Sequence, residues 1–586
     1  MTDQGSVRVP ETMAPSTLAP AQEHQVPSAW KSVWSYAEHF LRNLRRYGTV
    51  VLVEAVGEPL IYLMAMGLGL GSLIGGGEAS IGGVDYVAFL APALLAASIL
   101  TSGSPEFTYP IMGGFSWNKT FYAAQATVLR PWHIAAGHVV GVTIRFLIQA
   151  TLFLLMMLPF GVVSSPWAWV QIFTATAGGL AIGLPLMAYA ASLRRDTGQF
   201  AMVQRFIIMP MFLFSGTFYA LNTLPLALQW IGWISPQWHA AQLGRILTYG
   251  MDNPGWLTAV HVGYLLVLCA LGWMAVARVF ESRLGGSDRF SISSRELTKR
   301  SAKAARAAQD AYIGTVPDMP AIEVRQGAFS AMYAGNIRAV MERGFRALKT
   351  SNWGIFISGF FEPVLYLLSL GLGLGALVGV VQGPAGPMEY GAFIAPALLA
   401  VSAMNGAIYD STWNVFFKLR HAKLYRTMLT TSVGPLDVAM GEIGMALLRG
   451  GIYSTAFMMV MAVLGYLTSW WSLLLVPAAL LVAFAFASLG MAITSYMRTF
   501  QQMDWIWIVM MPMFLFSATF FPLSVYPAVI QGFIQALPLW HAVELMRQLS
   551  VGAFSGVTFI HLGYFAVMIT VGIWFTTHRL RALFLR

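Results

Sequence analysis

The composition of this 586-residue chain excludes an ordinary soluble domain. Hydrophobic residues make up 57% of the chain and charged residues only 10%, whereas roughly 25% of residues are charged in soluble domains. The mean hydropathy is +0.65. We therefore expect most of the chain to lie in a lipid bilayer, in spans of roughly 20 apolar residues each.

The formal net charge of +10 does not indicate a nucleic-acid partner, because the basic residues are spread over short segments between apolar runs. The single cysteine, Cys269, lies in an apolar run, so an intrachain disulfide and a cysteine-based metal site are excluded. Residues 1–27 are polar and lack the basic start and apolar core of a cleavable signal. This pattern predicts a flexible cytoplasmic tail.

The first predicted element is an amphipathic helix before the first apolar span. Trp30, Val33, Ala37 and Leu41 recur at helical spacing, opposite several arginines. This pattern is typical of a helix in the membrane interface. An anchor on the membrane surface and a contact with a cytoplasmic partner are both open interpretations.

Six apolar spans follow, and the charges between them indicate their orientation. The spans are predicted near residues 48–75, 86–113, 133–160, 167–193, 199–219 and 256–281. The segments on one side carry the Lys and Arg residues, whereas the opposite loops, 75–85 and 160–167, carry none. By the positive-inside rule the basic side is cytoplasmic, and both termini are expected there.

A proline-containing stretch, residues 220–255, precedes the sixth span on the outer side. Prolines exclude a single spanning helix, and two short helices that enter the membrane and return are expected. The stretch contains Trp238, His239 and Arg245, and its counterpart contains Trp540, His541 and Arg547. One histidine per half does not suffice for zinc, so we predict no metal site. For both arginines, an anionic head group and backbone carbonyls are equally open partners.

The chain contains an internal repeat. EPLIYLMAMGLGLGSLIG begins at Glu58 and EPVLYLLSLGLGLGALVG at Glu362, an offset of 362 − 58 = 304 residues. MPMFLFSGTF at Met209 matches MPMFLFSATF at Met511, with an offset of 302. An even number of spans per copy predicts parallel halves, related by an axis along the membrane normal.

The repeat predicts the domain organisation. We expect an all-α membrane protein with twelve transmembrane helices in two parallel six-helix halves. Each half has an interfacial helix at its start and a re-entrant outer hairpin before its sixth span. The expected units are a tail (1–27), a first half (28–282), a cytoplasmic linker (283–325) and a second half (326–586).

Charged residues deep in the spans are expensive and are expected to pair. Glu58 and Arg145 lie at similar depths, about 15 and 18 Å at 1.5 Å per residue. We therefore predict Glu58–Arg145 and Glu362–Arg449 pairs. A structural role and a substrate contact are both open. Glu106 and Asp410 lie lower, facing His138 and Glu442, and are weaker functional candidates.

The fifth spans contain apolar side chains that are candidates for a translocation path. These are Met209, Phe212, Phe214, Met511, Phe514 and Phe516. Soft, adaptable side chains suit variable apolar ligands, but ordinary core packing is the favoured explanation. Gly67 and Gly71, spaced by four residues, are interpreted as packing positions.

These features together resemble the ABC-2 type permeases. Within that family, FEPVLYLLSLGLGLG at Phe361 and EYGAFIAPALLAVSAM at Glu389 look most like the nodulation lipo-oligosaccharide export permeases. They are also similar to the daunorubicin-type drug export permeases. The resemblance covers residues 30–282 and 326–586. Such permeases usually have one half and dimerise, so this chain resembles a fused dimer.

The resemblance implies two cytoplasmic ATPase subunits, identical or different, as partners. The chain lacks a G-x-x-x-x-G-K-[ST] phosphate loop, so ATP and Mg would be bound by those partners, and the chain itself is expected not to be an enzyme. The ATPase contacts are expected in the segments between the second and third spans. The residues concerned are Phe115, Trp117, Lys119, Phe121, Arg130, Lys418, Arg420, Lys423, Tyr425 and Arg426.

The implied function is a permease subunit in the bacterial plasma membrane. It would export a lipid, a glycolipid such as a lipo-oligosaccharide, or an amphipathic drug. A twelve-span proton-coupled secondary transporter is the alternative. A lipid-modifying enzyme is a third class, but no repeated catalytic set is visible.

Overall fold

The computed structural model describes residues 28–46, 48–74, 80–81, 83–195, 198–285, 335–349, 353–498 and 500–584. The described chain is mostly helical. Its strands form two short antiparallel hairpins, Ser80–Ile81 with Val84–Asp85 and Val380–Gly383 with Gly386–Glu389. The predicted tail and nearly all of the predicted linker lie outside the described residues.

The first half begins with the amphipathic helix Ala29–Arg46. Six longer helical segments, called helices 1 to 6, follow it. They are Gly48–Tyr62 with the π-helical turns Leu63–Leu70, Tyr86–Glu106 with Tyr109–Met112 and Gly113–Trp117, Pro131–Met157, Gln171–Ser192, Gln199–Leu213, and Gly255–Leu284. Shorter helices are Thr120–Gln125, Leu158–Phe160, Ala168–Val170, Leu221–Thr223, Leu226–Ile234 and Pro236–Tyr249.

The second half repeats this order after the amphipathic helix Ile337–Lys349. Helices 1′ to 6′ are Trp353–Gly373, Tyr390–Tyr409 with Asp410–Asn414 and Phe417–His421, Pro435–Val463, Leu475–Tyr496, Asp504–Phe516, and Gly556–Phe584. Shorter helices are Gly375–Val378, Leu424–Met428, Trp470–Leu474, Phe500–Met503, Leu523–Val525, Ala528–Gln535 and Pro538–Val551.

Nine helices within the described ranges are long and apolar enough to cross a bilayer. The fifth helices are shorter: helix 5′ has 13 residues, about 20 Å at 1.5 Å per residue. Helix 5 ends at Leu213, where the sequence predicted a span to residue 219. The chain turns there because Gly216 adopts a left-handed conformation with φ 68°, and Ala518 adopts the equivalent one with φ 55°.

Each amphipathic helix packs closely against the third helix of its own half. A Cβ atom at Gly137 would lie 2.7 Å from the Val33 carbonyl oxygen, and one at Gly441 would lie 2.5 Å from the Val340 side chain. Glycine is therefore needed at both contacts. Val33 is buried here, whereas Trp30 is 65% exposed. One part of the predicted apolar face therefore contacts helix 3, and another part is exposed.

The two halves meet through reciprocal contacts between equivalent residues. The Tyr219 ring lies against Gly373 of helix 1′, and the Phe521 ring lies against Gly69 of helix 1. These contacts lie at the end that carries the short helices of the two predicted outer hairpins, which we call the hairpin helices. They are Leu226–Ile234 and Pro236–Tyr249 in the first half and Ala528–Gln535 and Pro538–Val551 in the second. We call this end of the molecule the hairpin end. At the other end, called the basic end, Tyr109 faces Trp413, with ring centroids 6.5 Å apart. Like ends of the two halves therefore lie together.

Candidate functional site

The segments after helices 2 and 2′ share one sharp turn at the basic end. Lys119 and Lys423 have left-handed backbones, with φ 55° and 49°, and are exposed at equivalent positions, since 423 − 119 = 304. The next short helix is anchored by Phe121 in one half and Tyr425 in the other, both buried. The sequence analysis had not aligned these two lysines, although the offset of 304 applied to Lys119 gives the match.

The segments that carry these anchors are held by different contacts in the two halves. Phe121 packs against Phe115 and Phe280 of helix 6, with ring centroids 4.8 and 5.4 Å apart. In the second half, Lys418 contacts Glu442 of helix 3′ at 2.5 Å, and Glu442 also accepts from Arg343 of the amphipathic helix at 3.1 Å. The first segment is thus held by aromatic packing and the second by an ion network.

In each half, an arginine side chain donates a hydrogen bond to a backbone carbonyl oxygen at the end of the fourth helix. The two arginines come from different elements. Arg283 of helix 6 donates to the Leu193 carbonyl oxygen at 2.8 Å. Arg420, at the end of helix 2′, donates to the equivalent Met497 carbonyl oxygen at 2.7 Å. The guanidinium at the end of helix 4 therefore comes from helix 6, whereas the one at the end of helix 4′ comes from helix 2′.

The ten residues expected to contact an ATPase fall into two groups. One group is exposed at the basic end: Trp117, Lys119, Arg130, Lys423 and Arg426. The other group is buried or bonded within the chain: Phe115, Phe121, Lys418, Arg420 and Tyr425. Only the first group has exposed side chains.

The predicted Glu362–Arg449 pair is wrong. Arg449 contacts Asp410 of helix 2′ at 2.7 Å. Glu362 instead faces Arg205 of helix 5, in the other half, with the charged atoms 3.9 Å apart. Depth along a span does not specify which neighbouring helix a side chain faces, and helix 3′ presents Arg449 to helix 2′ rather than to helix 1′.

In the first half, too, the arginine of the third helix contacts an acidic residue of the second helix. Arg145 contacts the carboxylate of Glu106 in helix 2, and His138 lies 3.0 Å from the Glu106 carbonyl oxygen. The side chain of the predicted partner, Glu58, lies outside the described side chains. Glu106 and Asp410, ranked below the other acids in the sequence, are therefore the observed partners of the two arginines.

The two contacts between the halves differ in polarity. Where helix 5 meets helix 1′, the Tyr219 hydroxyl lies 2.6 Å from the Ser369 hydroxyl, and Arg205 faces Glu362. We call this contact the polar seam. Where helix 5′ meets helix 1, the Phe521 ring lies on Gly69, and Ala65 occupies the position equivalent to Ser369, since 369 − 65 = 304. We call this contact the apolar seam.

The hairpin arginines bond to backbone carbonyls. Arg245 donates to Phe89 and Gly216 at 3.2 and 2.7 Å. Arg547 donates to Phe393 and Thr519 at 3.2 and 2.9 Å. Of the two partners left open by the sequence, an anionic head group and backbone carbonyls, the structure shows the backbone carbonyls.

The hairpin histidines each contact a second histidine, which the sequence analysis missed. His239 lies 2.8 Å from His261 of helix 6, Nδ1 to Nδ1, and His541 lies 2.7 Å from His561 of helix 6′. Trp238 and Trp540 pack edge-on against these pairs. The pairs link the hairpin to the sixth helix, and the recurrence of the second histidine at an offset of 300 was the available signal.

The candidate path residues are only partly accessible. Phe212 and Phe214 are buried in the core, which favours packing for these two. Met209, Met511, Phe514 and Phe516 are half-buried. Gly67 faces Val87 of its own half, whereas Gly69, which the sequence analysis did not single out, forms the contact between halves.

One protein family matches this chain once in each half. Residues 39–249 and 335–550 both match the family described as ABC-2 type transporter. Nodulation protein J of Rhizobium leguminosarum bv. viciae is 31% identical over 253 residues, which cover 43% of this chain and 96% of that protein.

Two further relatives show similar coverage. Nodulation protein J of Sinorhizobium fredii (strain NBRC 101917 / NGR234) is 32% identical over 235 residues, 39% of this chain and 88% of that protein. The inner membrane transport permease YadH of Escherichia coli (strain K12) is 28% identical over 260 residues, 43% of this chain and 95% of that protein. This chain is a multi-pass membrane protein that belongs to the ABC-2 type transporter family, with two copies of the family's domain.

Proposed function

We propose that this chain is the complete permease of an ABC exporter of the bacterial plasma membrane. Its two halves contribute twelve crossing segments with both termini in the cytoplasm. The fifth segments cross as short helices followed by turns, and the hairpin helices are re-entrant on the outer side. The domain bounds are those expected from the sequence: 1–27, 28–282, 283–325 and 326–586.

The reciprocal contact between helices 1 and 5 carries this proposal. Tyr219 on Gly373 and Phe521 on Gly69 are equivalent contacts that each use both halves. A pair of separate permease subunits related by a twofold axis would make this contact twice. The relatives align with less than half of the chain, which supports two permease units in one polypeptide.

The basic end supports the binding of two ATPase subunits. Lys119 and Lys423 project from equivalent left-handed turns, and each turn continues into a short helix anchored to the spans. Such a rigid connection can convert closure of an ATPase dimer into tilting of the spans. The subunits, identical or different, would bind ATP and Mg, and the chain itself would carry no catalytic activity.

The substrate is proposed to be a lipid, a glycolipid such as a lipo-oligosaccharide, or an amphipathic drug. It would leave the cytoplasm or the inner leaflet between the two halves. The relatives named for nodulation support the glycolipid class by similarity. The apolar seam, in which the Phe521 ring lies on Gly69, supports a ligand with an acyl or other apolar part.

Co-expression with an ABC ATPase encoded beside the gene tests this function. We expect the ATPase to co-purify with the wild-type chain and to be lost from the double variant Lys119→Glu/Lys423→Glu. Arg278→Glu, an exposed charge reversal on helix 6, is the matched control and should retain the ATPase. Retention of the ATPase by the double variant contradicts the proposed contact. Uptake driven by a proton gradient with the chain alone supports a secondary transporter instead.

A further inference from the structure

The basic end of helix 6′ carries a group of cations and aromatic rings. The Arg579 guanidinium lies over the ring of Tyr496, the last residue of helix 4′, with its central carbon 4.5 Å from the ring centroid. On helix 6′ itself, Trp574 stacks on His578 with ring centroids 5.4 Å apart. Arg581, three residues after His578, is exposed. We call these five residues the helix 6′ cluster.

Close packing of helices 4′ and 6′ holds the cluster in place. A Cβ atom at Gly572 would lie 2.7 Å from the backbone carbonyl carbon of Ser488, so the two helices touch backbone to backbone. Arg579 and Tyr496 follow this contact by about 10 to 12 Å toward the basic end. The main packing partners of both helices belong to the second half. The helix 6′ cluster is therefore a feature of one half and not of the contact between halves.

The charge of Arg579 has no counter-ion on the two helices that hold it. Neither Leu475–Tyr496 nor Gly556–Phe584 contains an aspartate or a glutamate. The Arg579 Nε atom is buried and has no hydrogen-bond partner in the part of the chain that the structure describes. A cation near the end of a membrane span is costly unless it is paired or reaches polar surroundings. An anionic group outside the chain would supply the missing acceptor.

The exposed face of helix 6′ changes in polarity along its length as a phospholipid does. Toward the basic end it presents first apolar, then aromatic and finally polar and basic side chains: Val567, Val571, Trp574, Phe575, His578 and Arg581. These positions recur at spacings of three and four residues, so they form one stripe. The stripe is about 21 Å long at 1.5 Å per residue, which is about the depth of one bilayer leaflet.

We propose that the helix 6′ cluster binds the phosphate of one anionic phospholipid in the leaflet at the basic end. The guanidinium groups of Arg579 and Arg581 donate to the phosphate oxygens, a pairing that their planar geometry favours. Trp574 lies at the glycerol level, where tryptophan is enriched in membrane proteins. The acyl chains lie along the apolar part of the stripe. This inference goes beyond the exporter function and requires only that the chain lies in a bilayer.

The first half does not repeat the cluster. An offset of 300 aligns the sixth helices and an offset of 304 the fourth helices, so Tyr496, Trp574, His578, Arg579 and Arg581 correspond to Ser192, Met274, Arg278, Val279 and Glu281. The charges of Arg278 and Glu281 cancel, and the Glu281 carboxylate repels a phosphate. We therefore expect one tightly bound lipid per chain and not two.

Native mass spectrometry of the full chain tests the proposal. The chain is stripped of lipid in detergent and titrated with dioleoyl phosphatidylglycerol. We expect one phosphatidylglycerol per chain to stay bound under conditions in which dioleoyl phosphatidylcholine is lost. The double variant Arg579→Ala/Arg581→Ala should weaken this binding by about thirtyfold, since each cation near an anionic lipid contributes about fivefold. Arg278→Ala, at the matched position of the first half, is the control and should leave the binding unchanged.

A variant that rebuilds the cluster in the first half tests the same residues by gain of binding. Ser192→Tyr/Val279→Arg/Glu281→Arg should hold two phosphatidylglycerol molecules per chain, and a single bound lipid contradicts the assignment.

Three other results overturn the proposal. They are equal affinity of the wild-type chain for the two lipids, equal retention of phosphatidylglycerol by wild type and the double alanine variant, and displacement of the lipid by millimolar glycerol 3-phosphate. The second result shows non-specific boundary lipid only, and the third shows a site for soluble phosphate compounds. Co-purification of an ATPase is measured separately, so a chain that keeps its ATPase but holds no phosphatidylglycerol loses only this inference.

Discussion

In the polar seam, Tyr219 packs on Gly373 and shares a hydrogen bond with Ser369, while in the apolar seam Phe521 packs on Gly69 opposite Ala65. Arg205 faces Glu362 in the first case, and position 507, equivalent to Arg205, is a tryptophan in the second. In a homodimer both seams carry the same residues. Fusion of the halves removes that constraint, and we expect the apolar seam to separate more readily.

Removal of the aromatic ring in either seam should lower the stability of the chain the most. Tyr219→Ala and Phe521→Ala each empty a buried aromatic position, which costs about 3–5 kcal/mol in protein cores. We expect Tyr219→Ala to be the more damaging, because it also removes the hydroxyl bonded to Ser369 and to the Leu213 carbonyl oxygen. Thermal unfolding of each variant in detergent measures the difference, and a larger loss for Phe521→Ala contradicts the polar–apolar distinction.

Removal of either arginine side chain that bonds to the end of a fourth helix should give the next largest loss of stability. Arg283→Ala and Arg420→Ala each remove a donor from a carbonyl oxygen at the end of the fourth helix, at a cost of about 2 kcal/mol. Arg283→Ala should loosen helix 6, and Arg420→Ala should loosen helix 2′. Hydrogen exchange locates the loosened helix, with Arg278→Ala as the control. The same exchange pattern for both variants would show that the two halves use one linkage.

A hydroxyl group placed in the apolar seam tests its polarity directly. Phe521→Tyr buries a hydroxyl without the serine found opposite Tyr219, which should cost about 1.5 kcal/mol. Ala65→Ser in the same chain supplies the missing partner and should recover most of the loss. The unfolding midpoints of the single and double variants form the measurement. If Phe521→Tyr alone is as stable as wild type, the apolar seam already contains a hydrogen-bond partner.

The smallest expected effect concerns the turns after the fifth helices. Ala518 has φ 55°, the conformation that Gly216 adopts in the other half. A left-handed backbone disfavours alanine, so Ala518→Gly should stabilise the chain by about 1 kcal/mol. Gly216→Ala should destabilise it, since a Cβ atom there would also lie 3.2 Å from the Tyr219 carbonyl oxygen. A rise in midpoint for Gly216→Ala would contradict this explanation.

The repeat was the part of the fold that the sequence could predict well. An offset of about 300 residues locates equivalent residues without knowledge of any contact, so the two amphipathic helices and the two hairpins were predictable. Side-chain partners were not. Glu362 was assigned to Arg449 by depth, but rotation of a helix about its axis decides which neighbour a residue faces, and a uniformly apolar span gives little signal of that rotation.

The contact between Tyr109 and Trp413 illustrates a second reason for the difference. Tyr109 and Trp413 lie 304 positions apart and meet only because the halves are related by an axis between them. A repeat reveals that two residues are equivalent, but it does not reveal which equivalent pair lies beside the axis. Contacts across that axis therefore required the structure.

Native mass spectrometry of the complex with its ATPase tests most directly that one chain supplies both halves of the permease. The account predicts one copy of this chain with two ATPase subunits. Two copies of the chain with two ATPase subunits would contradict it, because each seam would then have to form between separate polypeptides. A chain that never retains an ATPase would contradict the exporter function itself.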